Sequence, residues 1–115
     1  MQKDVHIYLR DILESCELII KNTASVSADE FRANMTLQDA VIRRFEIIGE
    51  AVKHVPEALR VKYPAISWQE AAGFRDVLIH DYPDIIIDDV YHTAHNDLPV
   101  FRDQIATVLN DLEKD

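Results

Sequence analysis

The 115-residue chain is long enough for one domain with its own core, and its single cysteine excludes an internal disulfide. Residues 76–115 hold two basic and ten acidic side chains, within a total formal charge of −9, which excludes a general nucleic-acid binder with a broad basic face. No stretch approaches the roughly 20 apolar residues of a membrane span. The charged N-terminus has no apolar run typical of a signal peptide, so we expect a reducing, cytoplasmic location.

The first predicted helix covers residues 4–20, where apolar side chains recur at helical spacing. Cys16 lies in this apolar stripe without an obvious activating neighbour, which predicts an inert core thiol. A polar break follows. Ser27, with Glu30 three residues later, forms a capping-box pattern that predicts a short helical turn.

The second long helix is predicted from near Thr36, where Asp39 three residues later gives a weaker capping pattern. Its apolar stripe runs to the residue before Pro56, which ends this helix or starts a short one. Gly49 lies inside the helix, where glycine costs about 1 kcal/mol relative to alanine. We therefore expect Gly49 to allow another helix to pack closely.

The next helix is predicted to be capped by Ser67 and to run to about Asp81, because Pro83 disfavours helical geometry just before it. The last segment, residues 87–112, has the clearest helical periodicity. Pro99 falls inside it and is expected to kink or interrupt it. Without strand alternation or repeats, the sequence predicts one all-α domain, a bundle of four to five helices.

Residues 74–82, FRDVLIHDY, place several polar side chains on an otherwise apolar helix, which we expect to be largely buried. A buried Arg75 needs an acidic or phosphate partner. Asp76 and His80 are four residues apart and are predicted to pair on one face, which would orient the imidazole. Arg75 and His80 are five apart, about 140° around the helix. Convergence on one small ligand then requires local unwinding, or two copies that share a cleft.

These residue types suit metal-independent RNA cleavage. His80 can take the proton from a ribose 2′-OH near neutral pH, and Arg75 can stabilise the crowded phosphate with fixed donors. The spacing alone is weak evidence, because a buried Arg75–Asp76 pair and a histidine at a helix end explain it equally well.

The longer motif RDVLIHDY, preceded by W-x5-F and followed by a long final helix, resembles the HepT-like group of the HEPN superfamily. The segment RRFEIIGEAVKHVPEALR, residues 43–60, also resembles the R-x-E-x-I-G-E-A segment of that group. The resemblance spans roughly residues 1–113. It implies an α-helical HEPN-type bundle that forms a homodimer or higher oligomer, in which the motifs of two subunits line one cleft.

The resemblance further implies a ribonuclease toxin acting on tRNA or mRNA, silenced by a minimal nucleotidyltransferase antitoxin that adds AMP to a tyrosine. On this basis Arg75 and His80 are expected to be catalytic. Asp76 is a supporting polar residue, and Tyr82 is the AMP acceptor. An added AMP would place a negative phosphate beside Arg75 and compete for its charge.

Two other functions stay open from the sequence. One is a non-enzymatic helical subunit that binds a nucleotide or a nucleotidyltransferase. The other is a metal-binding bundle, in which Asp88, His92 and His95 share a helix face. No cysteine or second motif supports a metal, and two glycines cannot form a phosphate-cradling loop, so we expect neither metal nor cofactor. Glu46 and Glu50 are predicted to form ion pairs with neighbouring basic side chains.

Overall fold

The computed structural model describes residues 4–80 and 86–114, and this part of the chain is helical without any strand. The all-α prediction is therefore confirmed. The helices are α1 (Val5–Thr23), α2 (Ala28–Ala33), α3 (Met35–Lys53), α4 (Glu57–Lys62), α5 (Trp68–His80), α6 (Ile87–His92) and α7 (Leu98–Glu113), with a π-helical segment at Thr93–Asp97. None of these described helices has the length and apolar character needed to cross a membrane.

The bundle is built from the four long helices α1, α3, α5 and α7. Helix α1 packs against both α3 and α7, and α5 packs mainly on α3. The three short helices lie at the connections, which is why the described helices outnumber the four to five predicted. The central layer consists of fully buried apolar side chains, among them Leu9, Ile12, Cys16, Val52, Ile105 and Val108. Burial also raises the pKa of the Cys16 thiol to about 12, which confirms it as an inert core residue.

Local hydrogen bonds explain where α2 and α3 begin. The predicted capping box is present, since the N–H of Glu30 donates to Ser27 Oγ at 3.1 Å and the Glu30 carboxylate accepts from the Ser27 N–H. The predicted Thr36 cap is wrong. Asn34 caps α3 instead, because its side-chain oxygen accepts from the Leu37 N–H at 3.0 Å. Asn34 also ends α2, so one residue joins the two helices.

The final helical segment is interrupted, as Pro99 predicted. The interruption is the π-helical turn at Thr93–Asp97, in which the Leu98 N–H donates to the carbonyl of Thr93. This wider turn precedes Pro99, which stands in the first turn of α7, where its missing N–H is tolerated. The His95 ring lies 2.9 Å from the Thr23 carbonyl and so ties the wider turn to the end of α1.

Helices α3 and α5 cross closely at Gly49, as predicted. A Cβ atom at Gly49 would overlap the Arg75 Cβ and lie 3.0 Å from the Ala71 carbonyl oxygen. Beside this crossing, Phe45 and Phe74 pack edge to face, with ring centroids 5.1 Å apart. The absence of a side chain at Gly49 therefore determines how deeply the stem of Arg75 sits against α3.

The expectation that α5 is largely buried is wrong for the single chain. Only Trp68 and Leu78 are buried on this helix. Val77 is 46% exposed and Ile79 is 39% exposed, although both are apolar. Helix α5 therefore packs on α3 with one side and leaves Val77 and Ile79, which point in different directions, partly exposed.

Candidate active site

Arg75 lies on the side of α5 that faces α3. Its Nη2 atom is 3.3 Å from Glu50 Oε2, and its Nη1 donates to Asp76 Oδ1 at 3.0 Å. The Nε atom is buried and has no hydrogen-bond partner among the described residues. Arg75 thus has the acidic partners expected for a half-buried guanidinium, and the remaining N–H groups of its two Nη atoms are left for a further acceptor.

Asp76 connects the guanidinium to α3. Its Oδ1 accepts a 2.6 Å hydrogen bond from Lys53 Nζ as well as the bond from Arg75. Both bonds lower the pKa of Asp76, and the bond from Lys53 has the larger effect. The carboxyl group therefore stays ionised. The predicted pairing of Asp76 with His80 is not formed within the described chain. Lys53, a cation on the neighbouring helix α3, binds the Asp76 carboxylate in place of His80.

His80 is the last residue of α5 and is exposed. Arg75 faces α3, and the structure does not bring His80 onto that face, in agreement with their five-residue separation. Tyr82, the predicted AMP acceptor, lies outside the described residues. The described chain therefore brings Arg75, Asp76, Glu50 and Lys53 together and leaves His80 apart.

A groove of about 310 Å³ opens beside Arg75 between α1, α3 and α5. At its other end the rings of Tyr8 and His54 stack with centroids 4.8 Å apart and an interplanar angle of 10°. Glu50 joins the two ends, because its Oε1 lies 3.4 Å from His54 Nε2 while its Oε2 contacts Arg75. The groove is lined by Tyr8, Asp11, Arg43, Glu46, Ile47, Glu50, Ala51, His54, Arg75 and Ile79.

The sequence profile of the ribonuclease HepT-like family matches residues 12–108. The chain belongs to this family. The match includes Arg75, Asp76 and His80 together with the groove-lining residues of α3. The fold expected for a HepT-like protein of the HEPN superfamily, a helical bundle, agrees with the architecture described above.

Named relatives of this HepT-like chain are 36–44% identical to it. A Methanocaldococcus jannaschii protein named "Gamma-glutamylcyclotransferase and putative RNase" is 44% identical over 114 residues; the match covers 99% of this chain but only 51% of that protein. "Probable ribonuclease HepT" of Thermococcus cleftensis is 38% identical over 102 residues, with 89% of this chain and 93% of the relative covered. No solved structure matches the chain significantly. Family and relatives together indicate a ribonuclease.

Two of the three residues proposed for a metal, Asp88 and His95, are engaged elsewhere in this HepT-like chain. Asp88 accepts a 2.8 Å hydrogen bond from Arg32 Nε, and the His95 ring contacts the Thr23 carbonyl. Across residues 4–80 and 86–114, no three His, Cys, Asp or Glu side chains are placed to hold a metal ion. The metal-binding alternative therefore has no geometric support in this part of the chain.

The sequence identified part of the groove. The predicted ion pairs of Glu46 and Glu50 are confirmed, with Arg43 at 3.4 Å and with Arg75. Tyr8 and His54 are not predicted as groove residues, although His54 follows Glu50 by four residues in the sequence. That spacing was the available signal, since it places a histidine one helical turn from the glutamate that contacts Arg75.

Proposed function

We propose that this protein is a metal-independent endoribonuclease of a toxin–antitoxin pair, which cleaves tRNA or mRNA in the cytoplasm. The observation that carries the proposal is the state of Arg75 in a HepT-like chain. Its guanidinium is fixed by Glu50 and Asp76 at the edge of an open groove, and a quarter of the side chain (25%) stays exposed there. A phosphodiester oxygen is a natural partner for such a group.

In the proposed reaction His80 accepts the proton of a ribose 2′-OH. The 2′ oxygen then forms a bond to the adjacent phosphorus, the bond from phosphorus to the 5′ oxygen breaks, and the leaving oxygen takes a proton from water. Arg75 stabilises the negative charge that builds on the phosphate oxygens. No step requires a metal ion, because the imidazole and the guanidinium supply the base and the cation.

We propose that two copies of the chain form the complete site. Within one copy Arg75 faces α3 while His80 is exposed at the end of α5. Val77 and Ile79, on different sides of the same helix, are apolar and partly exposed, which favours contact with a second copy of the chain. In such a homodimer, His80 of one copy would act on a phosphate held by Arg75 of the other.

Regulation is proposed to act through Tyr82, which follows His80 by two residues in the sequence. A minimal nucleotidyltransferase antitoxin would transfer AMP from ATP to the tyrosine oxygen and release pyrophosphate. The new phosphodiester carries a negative charge and a bulky adenosine next to the catalytic pair. It would exclude RNA sterically and would compete with substrate phosphate for Arg75.

The first experiment compares wild type with His80→Ala on total RNA in the presence of EDTA. Loss of the general base is expected to lower the cleavage rate by about 10²- to 10⁴-fold while the circular dichroism spectrum stays unchanged. His92→Ala, another exposed histidine outside the site, is the matched control and should cleave at the wild-type rate.

Equal cleavage by wild type and His80→Ala would contradict the assignment. If neither cleaves, the intact mass of the wild-type protein decides between two explanations. A mass increase that fits added AMP indicates a protein silenced before purification. An unmodified mass favours the non-enzymatic subunit that binds a nucleotidyltransferase.

A further inference from the structure

The groove beside Arg75 has an aromatic end that the proposed cleavage reaction does not use. Tyr8 covers one face of the His54 ring, yet the His54 side chain stays 51% exposed. Because His54 also lines the groove, a ligand there would stack on the ring face that Tyr8 does not cover. Every nucleobase has a flat face that stacks on such rings, and stacking contributes about 1–3 kcal/mol per base in single-strand recognition.

The two ends of the groove are separated by one carboxylate group. Glu50 contacts His54 Nε2 through one oxygen at 3.4 Å and Arg75 Nη2 through the other at 3.3 Å. In a nucleotide, the ribose separates phosphate and base on a similar scale. The volume of about 310 Å³ lies at the lower end of the roughly 300–1,000 Å³ range of small-ligand sites.

From this geometry we propose that the groove is a nucleobase subsite, which holds the base of the nucleotide whose phosphate binds Arg75. The base stacks on the face of the His54 ring that Tyr8 does not cover, and the phosphate takes its place at the guanidinium. The inference rests on the proposed ribonuclease function for the identity of the ligand, an RNA nucleotide. It assigns His54 and Tyr8 to substrate recognition, with no part in the transfer of protons.

The charged residues of the groove indicate which bases fit. Three carboxylates line it, on Asp11, Glu46 and Glu50, and a carboxylate accepts hydrogen bonds but cannot donate them. Guanine, adenine and cytosine present an exocyclic amino group to such an acceptor, whereas uracil presents none. The subsite should therefore prefer an amino-bearing base to uracil.

The test titrates 5′-GMP and 5′-UMP into the full-length protein, follows the ring resonances of His54 by NMR, and measures the dissociation constants of wild type and variants by isothermal titration calorimetry. We expect 5′-GMP to shift these resonances, and 5′-UMP to bind about tenfold more weakly because it lacks the amino contact. His54→Ala should weaken 5′-GMP binding about tenfold, and His54→Phe should retain it through stacking. His92→Ala is the control and should bind like wild type.

Three results would overturn the subsite: 5′-GMP binds His54→Ala as tightly as wild type, 5′-GMP leaves the His54 resonances unmoved, or 5′-UMP binds as well as 5′-GMP. Cleavage assays on the same preparations separate this inference from the proposed function. Binding at His54 by a protein that cuts no RNA would refute the ribonuclease and keep a nucleotide site. RNA cleavage without any effect at His54 would refute the subsite and keep the ribonuclease.

Discussion

Arg75 contacts two carboxylates before any substrate is present. Its guanidinium is held by Glu50 and Asp76, and Asp76 is itself held by Lys53. A substrate phosphate would therefore compete with these carboxylates, because the remaining donor, Nε, is buried and closed to it. The carboxylates keep the guanidinium oriented in the free protein. Because a phosphate must compete with them, each phosphate contact adds less affinity. Binding that is modest and selective is the expected outcome.

Tyr82→Phe is expected to abolish incorporation of labelled AMP when the protein is incubated with ATP and its nucleotidyltransferase. The substitution removes the only oxygen that can accept the AMP group at this position and leaves the ring in place. Scintillation counting or intact mass gives the measurement. Tyr91→Phe is the control. Tyr91 lies on α6, away from Tyr82 in the sequence, and its hydroxyl donates to the Val26 carbonyl at 2.6 Å. Label entering Tyr82→Phe at the wild-type level would refute Tyr82 as the acceptor.

Sequence reasoning at this scale found which residues need partners but not which partners they have. It predicted that Arg75 requires an acid, and Glu50, 25 positions earlier, supplies one through the packing of two helices. It also predicted, from their spacing within one helix, that Asp76 pairs with His80. Lys53 takes Asp76 instead, because its ammonium reaches across from α3. Local spacing cannot rank a neighbour on the same helix against one brought in by tertiary packing.

The pairing of α3 and α5 links the fold to the site. The stem of Arg75 packs against the backbone at Gly49, and the next residue, Glu50, holds its head group. The same short part of α3 thus sets both the depth and the orientation of the guanidinium. Because interiors are close-packed, an added methyl group here cannot be absorbed without moving one of the helices.

Gly49→Ala is expected to lower the cleavage rate by at least about tenfold, because displacement of a positioned group by around 1 Å can cost up to a hundredfold in rate. Overpacking should also reduce the free energy of unfolding by about 1–3 kcal/mol. Single-turnover cleavage and thermal unfolding give the two measurements.

Gly73→Ala is the matched control for this substitution. Gly73 lies on α5, and a methyl group added there would meet no atom within 4 Å, so activity should be unchanged and stability should rise by up to about 1 kcal/mol. Wild-type cleavage by Gly49→Ala would show that the close helix crossing does not position Arg75.

At the scale of elements, the sequence predicted the long helices and the interruption at Pro99, because periodicity and proline act locally. It did not specify the π-helical turn, since several backbone arrangements relieve the same missing hydrogen bond. The burial of α5 was overestimated for another reason. Apolar residues such as Val77 and Ile79 look alike in sequence whether they face a core or stay exposed on the single chain.

For the whole molecule, a site shared by two copies predicts complementation between two inactive variants. Arg75→Ala and His80→Ala should each lose cleavage as pure proteins. When they are unfolded together and refolded as a mixture, the mixed dimers contain one site with Arg75 from one chain and His80 from the other. About half of the chains should enter mixed dimers if pairing is random, so a measurable part of the activity should return. Continued inactivity of a mixture shown to contain mixed dimers would place both residues of each site in one chain.

The charge distribution predicts an unusual response to salt. Phosphate-binding proteins normally lose affinity steeply as salt rises, because bound counterions are released. Here residues 76–115 carry a net charge of −8, which should repel RNA at long range. Screening weakens this repulsion over about 10 Å at 0.1 M salt. We therefore expect kcat/KM to change little, or to rise, between about 50 and about 150 mM salt; a steep fall would point to a basic RNA-binding surface.

The close contact at Gly49 also bears on how an intact motif should be read. A chain with any other residue at this position would still contain the arginine, the histidine and the tyrosine in their familiar order. By inspection of the motif it would be counted as an active member of its group. Yet the contact lies 26 positions before the arginine, and the overlap there would already have moved it. Surveys that separate active from inactive members of the family would be more accurate if they recorded this glycine together with the motif.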